Sequence, residues 1–176
     1  MPITIGPLDS FDDRAAFSCE EPDLTDWFRT QAGQEQKRNV AQAFVARDDD
    51  LGVVGYYSLS AFSIEAENLP DELRRTLPRY DTIPAVLIGR LARDSRVKGR
   101  GVGEILLAAA LRQIVDTSNR LGIYAIVVDA KHEKAAKFYR DYGFQTFPTR
   151  PLRLFMPTAT VRKALEQADG QDPGMR

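Results

Sequence analysis

The fold of this chain is decided by the stretch Pro84-Ala-Val-Leu-Ile-Gly-Arg-Leu-Ala-Arg-Asp-Ser-Arg-Val-Lys-Gly-Arg-Gly-Val-Gly103. Its first part, 85–91, is an apolar run of strand length, and we expect it to be buried on both faces of a sheet. After the glycines, residues 104–114 contain Leu, Ala and Ile without Gly or Pro, which predicts a helix. The stretch therefore predicts a strand, a glycine-rich turn and a helix in succession.

The turn holds Gly99, Gly101 and Gly103, which let the backbone approach a ligand and adopt positive φ. The first turn of a helix leaves N–H groups without partners, and the helix dipole makes that end weakly positive. Such a turn binds a phosphate or pyrophosphate in some proteins and only connects two elements in others. It lacks the Gly-Lys-Ser/Thr of a P-loop and the Gly-x-Gly-x-x-Gly of a dinucleotide site.

Length and composition predict one globular domain over 1–167, followed by a disordered tail over 168–176. Cys19 is the only cysteine and His132 the only histidine, so we expect neither an internal disulfide nor a metal site. No apolar run approaches the ~18 residues of a membrane span, and the first residues lack the features of a signal peptide. We therefore expect a soluble, cytoplasmic protein with no membrane partner.

Charge is distributed unevenly along the chain. Residues 74–100 contain eight Arg and Lys but only Asp81 and Asp94, a local charge of +6 in a chain whose net charge is −1. A basic region of this kind attracts polyanions. The alternative is that half of these arginines only face solvent or bind phosphates of a cofactor.

Hydrophobic periodicity and turn residues predict the other elements. We predict helices over 22–37, 70–75, 104–120, 133–142 and 158–167, and strands over 3–8, 43–47, 53–64, 85–91, 123–128, 144–147 and 152–156. The strand, helix and strand over 85–128 form a βαβ unit with two parallel strands. Trp27 is expected in the core, and Gly55 predicts a bulge or a close backbone approach.

A second informative stretch runs from Asp129 to Phe144, where a parallel strand ends and a helix follows. Ala135, Phe138, Tyr139 and Tyr142 are three or four residues apart and share one helical face. This face either packs on the sheet or presents a tyrosine to a ligand. With a pKa near 10, a protonated tyrosine can act as a general acid toward a departing thiolate.

The chain contains two motifs, one after the other. The first is Arg96-Val-Lys-Gly99-Arg-Gly101, of the form Arg/Gln-x-x-Gly-x-Gly, and the second is Phe138-Tyr139-Arg-Asp-Tyr-Gly-Phe144. Together they resemble the GCN5-related N-acetyltransferases, the GNAT superfamily. The resemblance narrows to GNAT toxins of type II toxin–antitoxin systems, which acetylate the amino group of aminoacyl-tRNA. The flanking segments that carry it are 17–19, 24–27, 54–58, 83–92, 128–130 and 151–155. One departure is Cys19-Glu-Glu, where the family commonly has Cys-Gly.

The resemblance implies an α/β fold, with a mixed, mostly antiparallel central sheet that has one parallel, splayed strand pair and flanking helices. It also implies acetyl-CoA as co-substrate and no metal. The implied cofactor contacts are Leu91 and Ala92 for the acetyl and pantetheine, Phe138, and, for the pyrophosphate, Arg96, Lys98, Gly99, Arg100, Gly101, Val102 and Gly103. Tyr139 matches the tyrosine that protonates the CoA thiolate. An attacking α-amine with a pKa of ~7.7–8.0 needs no strong base, and we expect His132 to serve at a helix start instead.

The partners implied by the family are aminoacyl-tRNA, an antitoxin with a ribbon-helix-helix part, and a second copy of the chain in a homodimer. We expect Arg79, Arg90 and Arg93 to contact tRNA phosphates, with Arg74 and Arg75 as weaker candidates. Two alternatives stay open at this point. One is a GNAT enzyme that acetylates a small amine or a protein N-terminus, and the other is a CoA-binding regulatory module without catalysis.

Overall fold

The computed structural model describes residues 2–170. Its helices are α1 Pro22–Thr30, α2 Ala32–Lys37, α3 Asp71–Arg74, α4 Val102–Thr117, α5 Glu133–Asp141 and α6 Thr158–Gly170. Its strands are β1 Ile3–Pro7, β2 Gln42–Asp48, β3 Gly52–Glu65, β4 Thr82–Arg93, β5 Ala125–Asp129, β6 Gln145–Phe147 and β7 Arg150–Pro157. Short 3₁₀ turns occupy Ala66–Asn68 and Ser95–Val97.

The strands form a seven-stranded sheet in the order β1-β2-β3-β4-β5-β7-β6. Strand β2 is antiparallel to β1 and to β3, and β7 is antiparallel to β5 and to β6. The sheet has one parallel pair, β4 and β5, which the crossover helix α4 connects. The predicted mixed sheet with a βαβ unit is therefore confirmed.

The described residues divide into two compact units, and the first comprises 2–60 with 88–110. Its core is aromatic. Phe28 stacks on Tyr56 with ring centroids 4.5 Å apart, and Phe17 meets both rings edge-on. Trp27, 4% exposed, stacks on the same Tyr56 ring, as its predicted place in the core requires.

Gly55 lies in β3, directly under the start of α4. A Cβ at this position would lie 2.8 Å from Leu106 Cδ1 and 3.2 Å from the Ala92 carbonyl oxygen. The predicted close backbone approach is confirmed, and the register of β2 and β3 shifts at Ala46 and Arg47, where Gly55 pairs with Ala46. The absence of a side chain at Gly55 lets α4 begin close against the sheet.

The second unit comprises 61–87 with 111–170. Ile64, Ile83, Val127 and Phe155 are buried there and belong to one apolar cluster. Phe155 also packs on Phe147 with ring centroids 4.8 Å apart. Strand β5, which precedes α5, has β4 on one side and β7 on the other, and β6 pairs with the far edge of β7. Strand β5 is therefore an interior strand of the sheet.

Three predictions need correction. The helix predicted over 22–37 is interrupted at Gln31, whose φ is −118°, and the Phe28 carbonyl in the last turn of α1 accepts from Arg14. The run 85–91 was expected to be buried on both faces, but Val86, Leu87 and 89–91 are only half-buried. The helix predicted to end at 167 continues as α6 to Gly170, and residues 171–176 of the predicted tail lie outside the described residues.

None of the helices that the structure describes is long and apolar enough to cross a membrane.

Candidate active site

The glycine turn, residues 94–101 between β4 and α4, has the backbone geometry of an anion site. Gly99 and Gly101 both have φ of +77°, a left-handed conformation that other residues adopt at a cost, whereas Gly103 lies inside α4. Within residues 2–170, no backbone carbonyl accepts from the N–H groups of 101–104, and the first helical bond runs from Ile105 to Gly101. Several N–H donors are therefore available at the positive end of a sixteen-residue helix.

Asp94 connects this turn to two other segments. Its Oδ1 accepts from the Arg96 backbone N–H at 2.8 Å and its Oδ2 accepts from the Ser18 N–H at 3.1 Å. Its own N–H donates to the Val54 carbonyl, and Ser95 N–H donates to the Ser18 carbonyl. Asp94 is only 1% exposed, so the start of the turn is held in place by β3 and by the segment that precedes α1.

The Arg96 side chain is engaged in the same arrangement. Its Nε and Nη2 donate to the two Asp94 carboxylate oxygens at 2.9 and 3.0 Å. Nη1 donates to the Leu51 carbonyl and Nη2 to the Val53 carbonyl, both at 3.2 Å. Four of the five guanidinium donors are thus occupied. The Arg96 side chain therefore stabilises the turn by linking Asp94 to the backbone carbonyls of Leu51 and Val53.

Burial by itself raises the pKa of the Asp94 carboxyl, but the hydrogen bonds from Arg96 and Ser18 outweigh it and hold that pKa below its usual range. Asp94 is therefore ionised at neutral pH. Sequence reasoning placed Arg96 in the site and missed Asp94. The sequence does contain one indication of its role, because an aspartate immediately before a short turn usually caps that turn. Nothing in the sequence indicates its hydrogen bond to Ser18.

The other predicted cofactor residues of the first unit lie along the end of β4 and the turn. Leu91 is half-buried and Ala92 is 6% exposed. Lys98 is exposed, and Val102 is buried as the first residue of α4. The structure therefore brings together, in one unit, the predicted residues Leu91, Ala92, Arg96, Lys98, Gly99, Arg100, Gly101, Val102 and Gly103.

Phe138 and Tyr139 lie in the second unit, on α5. Tyr139 is 7% exposed, and its ring meets Phe138 and Phe144 edge-on at centroid distances of 5.3 and 5.6 Å. Burial raises the pKa of the Tyr139 hydroxyl above its ordinary value, so the phenol keeps its proton at neutral pH. His132 caps the start of α5 by accepting from the Ala135 N–H, as expected.

The arginines predicted to contact a polyanion differ in their surroundings. Arg93 donates to both carboxylate oxygens of Glu20, at 3.0 and 3.2 Å. Arg79 lines an open cavity of about 760 Å³ in the second unit, together with Arg74, Arg75, Glu65, Glu67 and Asp81. Three carboxylates and three arginines line this cavity, so the net charge of its lining is balanced and not basic.

Within residues 2–170, no group of three or more His, Cys, Asp or Glu side chains is arranged to hold a metal ion.

Comparison with known proteins identifies the family. Residues 39–146 match the model of the acetyltransferase (GNAT) domain. A Sinorhizobium fredii protein named "probable toxin TacT" is 34% identical over 92% of this chain and 94% of its own length. A Mycobacterium tuberculosis "tRNA-acetylating toxin" is 37% identical over 82% of this chain and 86% of its own.

Solved structures agree. The structure of AtaT complexed with acetyl-methionyl-tRNAfMet is 29% identical, with a TM-score of 0.85 over 93% of this chain and 99% of that one. A tyrosine-to-phenylalanine mutant of AtaT, bound to the C-terminus of the antitoxin AtaR and acetyl-CoA, is 27% identical, with a TM-score of 0.80 over 95% and 100%. Two motifs, the mixed sheet and these matches lead to one conclusion: the chain belongs to the GNAT family of acetyl-CoA-dependent N-acetyltransferases.

Proposed function

We propose that this protein is a toxin that transfers the acetyl group of acetyl-CoA to the α-amino group of aminoacyl-tRNA and thereby blocks translation. The observation that carries the proposal is its likeness, over more than four fifths of the chain, to the tRNA-acetylating toxin of M. tuberculosis. The fold of AtaT, solved with acetyl-methionyl-tRNAfMet, supports the same substrate class. An N-acetylated aminoacyl-tRNA has no free amine with which to form a peptide bond.

The glycine turn is assigned to the co-substrate. The N–H groups at the start of α4 suit the pyrophosphate of acetyl-CoA, with Lys98 and Arg100 beside them. Leu91 and Ala92, at the end of β4, are assigned to the acetyl and pantetheine, and Phe138 is a further contact. Arg96 contributes by bracing the turn through Asp94, since its guanidinium donors are already engaged there.

The chemistry follows from an amine that is already nucleophilic. With a pKa of ~7.7–8.0, part of the α-amine is neutral at physiological pH and attacks the thioester carbonyl directly. A C–N bond forms, the C–S bond breaks, and the amine loses a proton to solvent. Tyr139, whose phenol is protonated, gives its proton to the departing CoA thiolate.

Of the three arginines predicted to contact tRNA phosphates, Arg79, Arg90 and Arg93, we assign Arg79 and Arg90 to phosphates that position the substrate without base readout, since Arg93 is paired with Glu20. The protein is further proposed to act in the cytoplasm, as a homodimer, and under an antitoxin with a ribbon-helix-helix part. The AtaT structure with the C-terminus of its antitoxin supports control by an antitoxin. Residues 1–167 are proposed to act as a single acetyltransferase domain, since the relatives match across nearly the whole chain.

The test is to incubate the purified protein with labelled acetyl-CoA and total charged tRNA, digest the RNA and identify the labelled amino acid. Label on the α-amine of one or a few amino acids supports the proposal and names the tRNA. Label on small amines or protein N-termini, with none on charged tRNA, refutes the toxin function and leaves an ordinary GNAT enzyme. CoA binding without transfer to any amine indicates a regulatory module.

A further inference from the structure

Arg90 of β4 lies over the face of a fixed indole ring. Its guanidinium carbon is 4.2 Å from the centroid of Trp27, a cation–π distance. The indole cannot turn away, because Trp27 is 4% exposed, stacks on Tyr56 and donates its Nε1–H to Glu35. The Tyr56 hydroxyl in turn donates to the Leu24 carbonyl at 2.6 Å. Helices α1 and α2 thus provide a rigid platform under one guanidinium.

No acceptor among residues 2–170 takes a hydrogen bond from Arg90. Other arginines of the first unit are different: Arg47 pairs with Asp12, Arg93 with Glu20 and Arg96 with Asp94. A guanidinium presents five N–H donors in a planar fork that fits a phosphate in a bidentate manner. The stacked, half-buried Arg90 is therefore pre-oriented, and its donors are available to an anion from outside the chain.

The position of Arg90 limits which anion it meets. It directly precedes Leu91 and Ala92, the residues assigned to the acetyl group, so a phosphate held by Arg90 belongs to the part of the substrate nearest the reacting amine. In an aminoacyl-tRNA the amino acid is esterified to the 3′-terminal nucleotide, and the nearest phosphates are those of the single-stranded 3′ end. Arg79 shares its cavity with three carboxylates and Arg93 is paired with Glu20, which favours Arg90 as the anion contact.

We propose that Arg90, positioned by the Trp27 ring, binds a phosphate of the single-stranded 3′ end of the aminoacyl-tRNA. This inference rests on the proposed function and adds to it a specific contact, together with a positioning residue, Trp27. It also separates Arg90 from Arg93, which has the same charge and lies on the same strand three residues away.

The chain offers a direct probe, because Trp27 is its only tryptophan. Deacylated tRNA is titrated against wild type, Arg90→Gln and the matched control Arg93→Gln, and the emission of Trp27 is followed at several salt concentrations. The wild type is expected to change its emission on binding. In Arg90→Gln that change is lost, Kd measured by filter binding rises about tenfold or more, and the salt slope falls by about 0.7. For Arg93→Gln we expect less than a threefold rise in Kd.

Steady-state kinetics with charged tRNA distinguish a tRNA phosphate from a phosphate of acetyl-CoA. Arg90→Gln is expected to raise the KM for charged tRNA and leave the KM for acetyl-CoA within about twofold of wild type. A higher KM for acetyl-CoA with unchanged tRNA binding overturns the inference, as do equal effects of the Arg90 and Arg93 substitutions. A wild-type protein that neither binds nor acetylates charged tRNA refutes the proposed function as well.

Two further variants test the positioning role without removing the charge. Trp27→Phe keeps a ring face but loses the bond to Glu35, and Glu35→Gln keeps an acceptor for the indole. For Trp27→Phe we expect about a threefold rise in the Kd for tRNA with an unchanged salt slope, since Arg90 keeps its charge. Glu35→Gln is expected to bind as wild type. Unaltered tRNA affinity in a folded Trp27→Phe protein overturns the role of Trp27.

Discussion

Asp94 is the residue whose replacement tests most directly how the glycine turn is held. Its carboxylate accepts four hydrogen bonds, from the Ser18 N–H and from the backbone N–H, Nε and Nη2 of Arg96. Removing one partner of a buried ion pair costs about 3–5 kcal/mol. The Arg96 side chain is 39% exposed and can be hydrated when Asp94 is lost, so we expect the lower end, about 3 kcal/mol, for Asp94→Ala.

In a chain of this length 1 kcal/mol corresponds to roughly 2–4 °C in Tm, so Asp94→Ala is expected to lower Tm by about 6–12 °C. The turn also loses its link to Ser18, and we expect the KM for acetyl-CoA to rise about tenfold or more, while kcat at saturating acetyl-CoA changes less. Circular dichroism on heating and initial rates at varied acetyl-CoA measure the two effects. Asp94→Asn preserves the volume and checks that the lost charge, and not a cavity, is responsible.

The matched control is Glu20→Gln, which breaks the ion pair between Glu20 and Arg93, the last residue of β4. Glu20 is 48% exposed in its pair with Arg93, and such pairs contribute about 0–1 kcal/mol. We expect a change in Tm below about 4 °C and an unchanged KM for acetyl-CoA. If Asp94→Ala behaves like Glu20→Gln in both measurements, the turn does not depend on Asp94 and the reasoning is wrong.

The lowered pKa of Asp94 gives this link a pH dependence with a definite sign. A carboxyl whose pKa is lower in the folded state stabilises the fold at pH values above its unfolded pKa of ~3.9. That stabilisation is lost as the pH falls through the lower, folded pKa. The contribution of Asp94 is therefore complete at neutral pH, and the difference in Tm between wild type and Asp94→Asn should shrink only in strong acid.

Four further predictions concern the other parts of the site. Tyr139→Phe should keep acetyl-CoA binding, measured by calorimetry, while transfer falls by a factor on the order of 10²–10⁴; wild-type turnover would exclude the acid role. Because burial raises the pKa of Tyr139, deprotonation of this group should not reduce kcat between pH 7 and 9, and a decrease in kcat that Tyr139→Phe removes would contradict this. Gly101→Ala, at φ +77°, should cost about 1–2 kcal/mol and raise the KM for acetyl-CoA, whereas an alanine without either effect would mean that the turn relaxes freely. Gly55→Val should displace the start of α4, because even a Cβ there meets Leu106 and the Ala92 carbonyl, and a variant with unchanged Tm would contradict this contact.

Much of the site could be predicted from the sequence because its signals are local. The glycines at 99 and 101 indicate a turn with positive φ, and the apolar run after them indicates a helix. Tyr139, four residues before Gly143, falls on a predictable face of α5. Each of these signals depends on neighbours within a few positions, where backbone sterics and helical periodicity act, and each is present in the folded chain.

Tertiary structure decided what each charged group does. Arg90, Arg93 and Arg96 count equally in the sequence, yet one stacks on an indole, one pairs with an exposed glutamate and one braces the turn through Asp94. Ser18, the distant partner of Asp94, is 76 residues away along the chain. A charge count cannot tell these cases apart, because the partner of a side chain is chosen by packing between segments that are remote in sequence. The sequence by itself therefore determined the turn, the helix and the family, and the folded chain determined which of these three arginines pairs with a carboxylate and which lies on an aromatic ring.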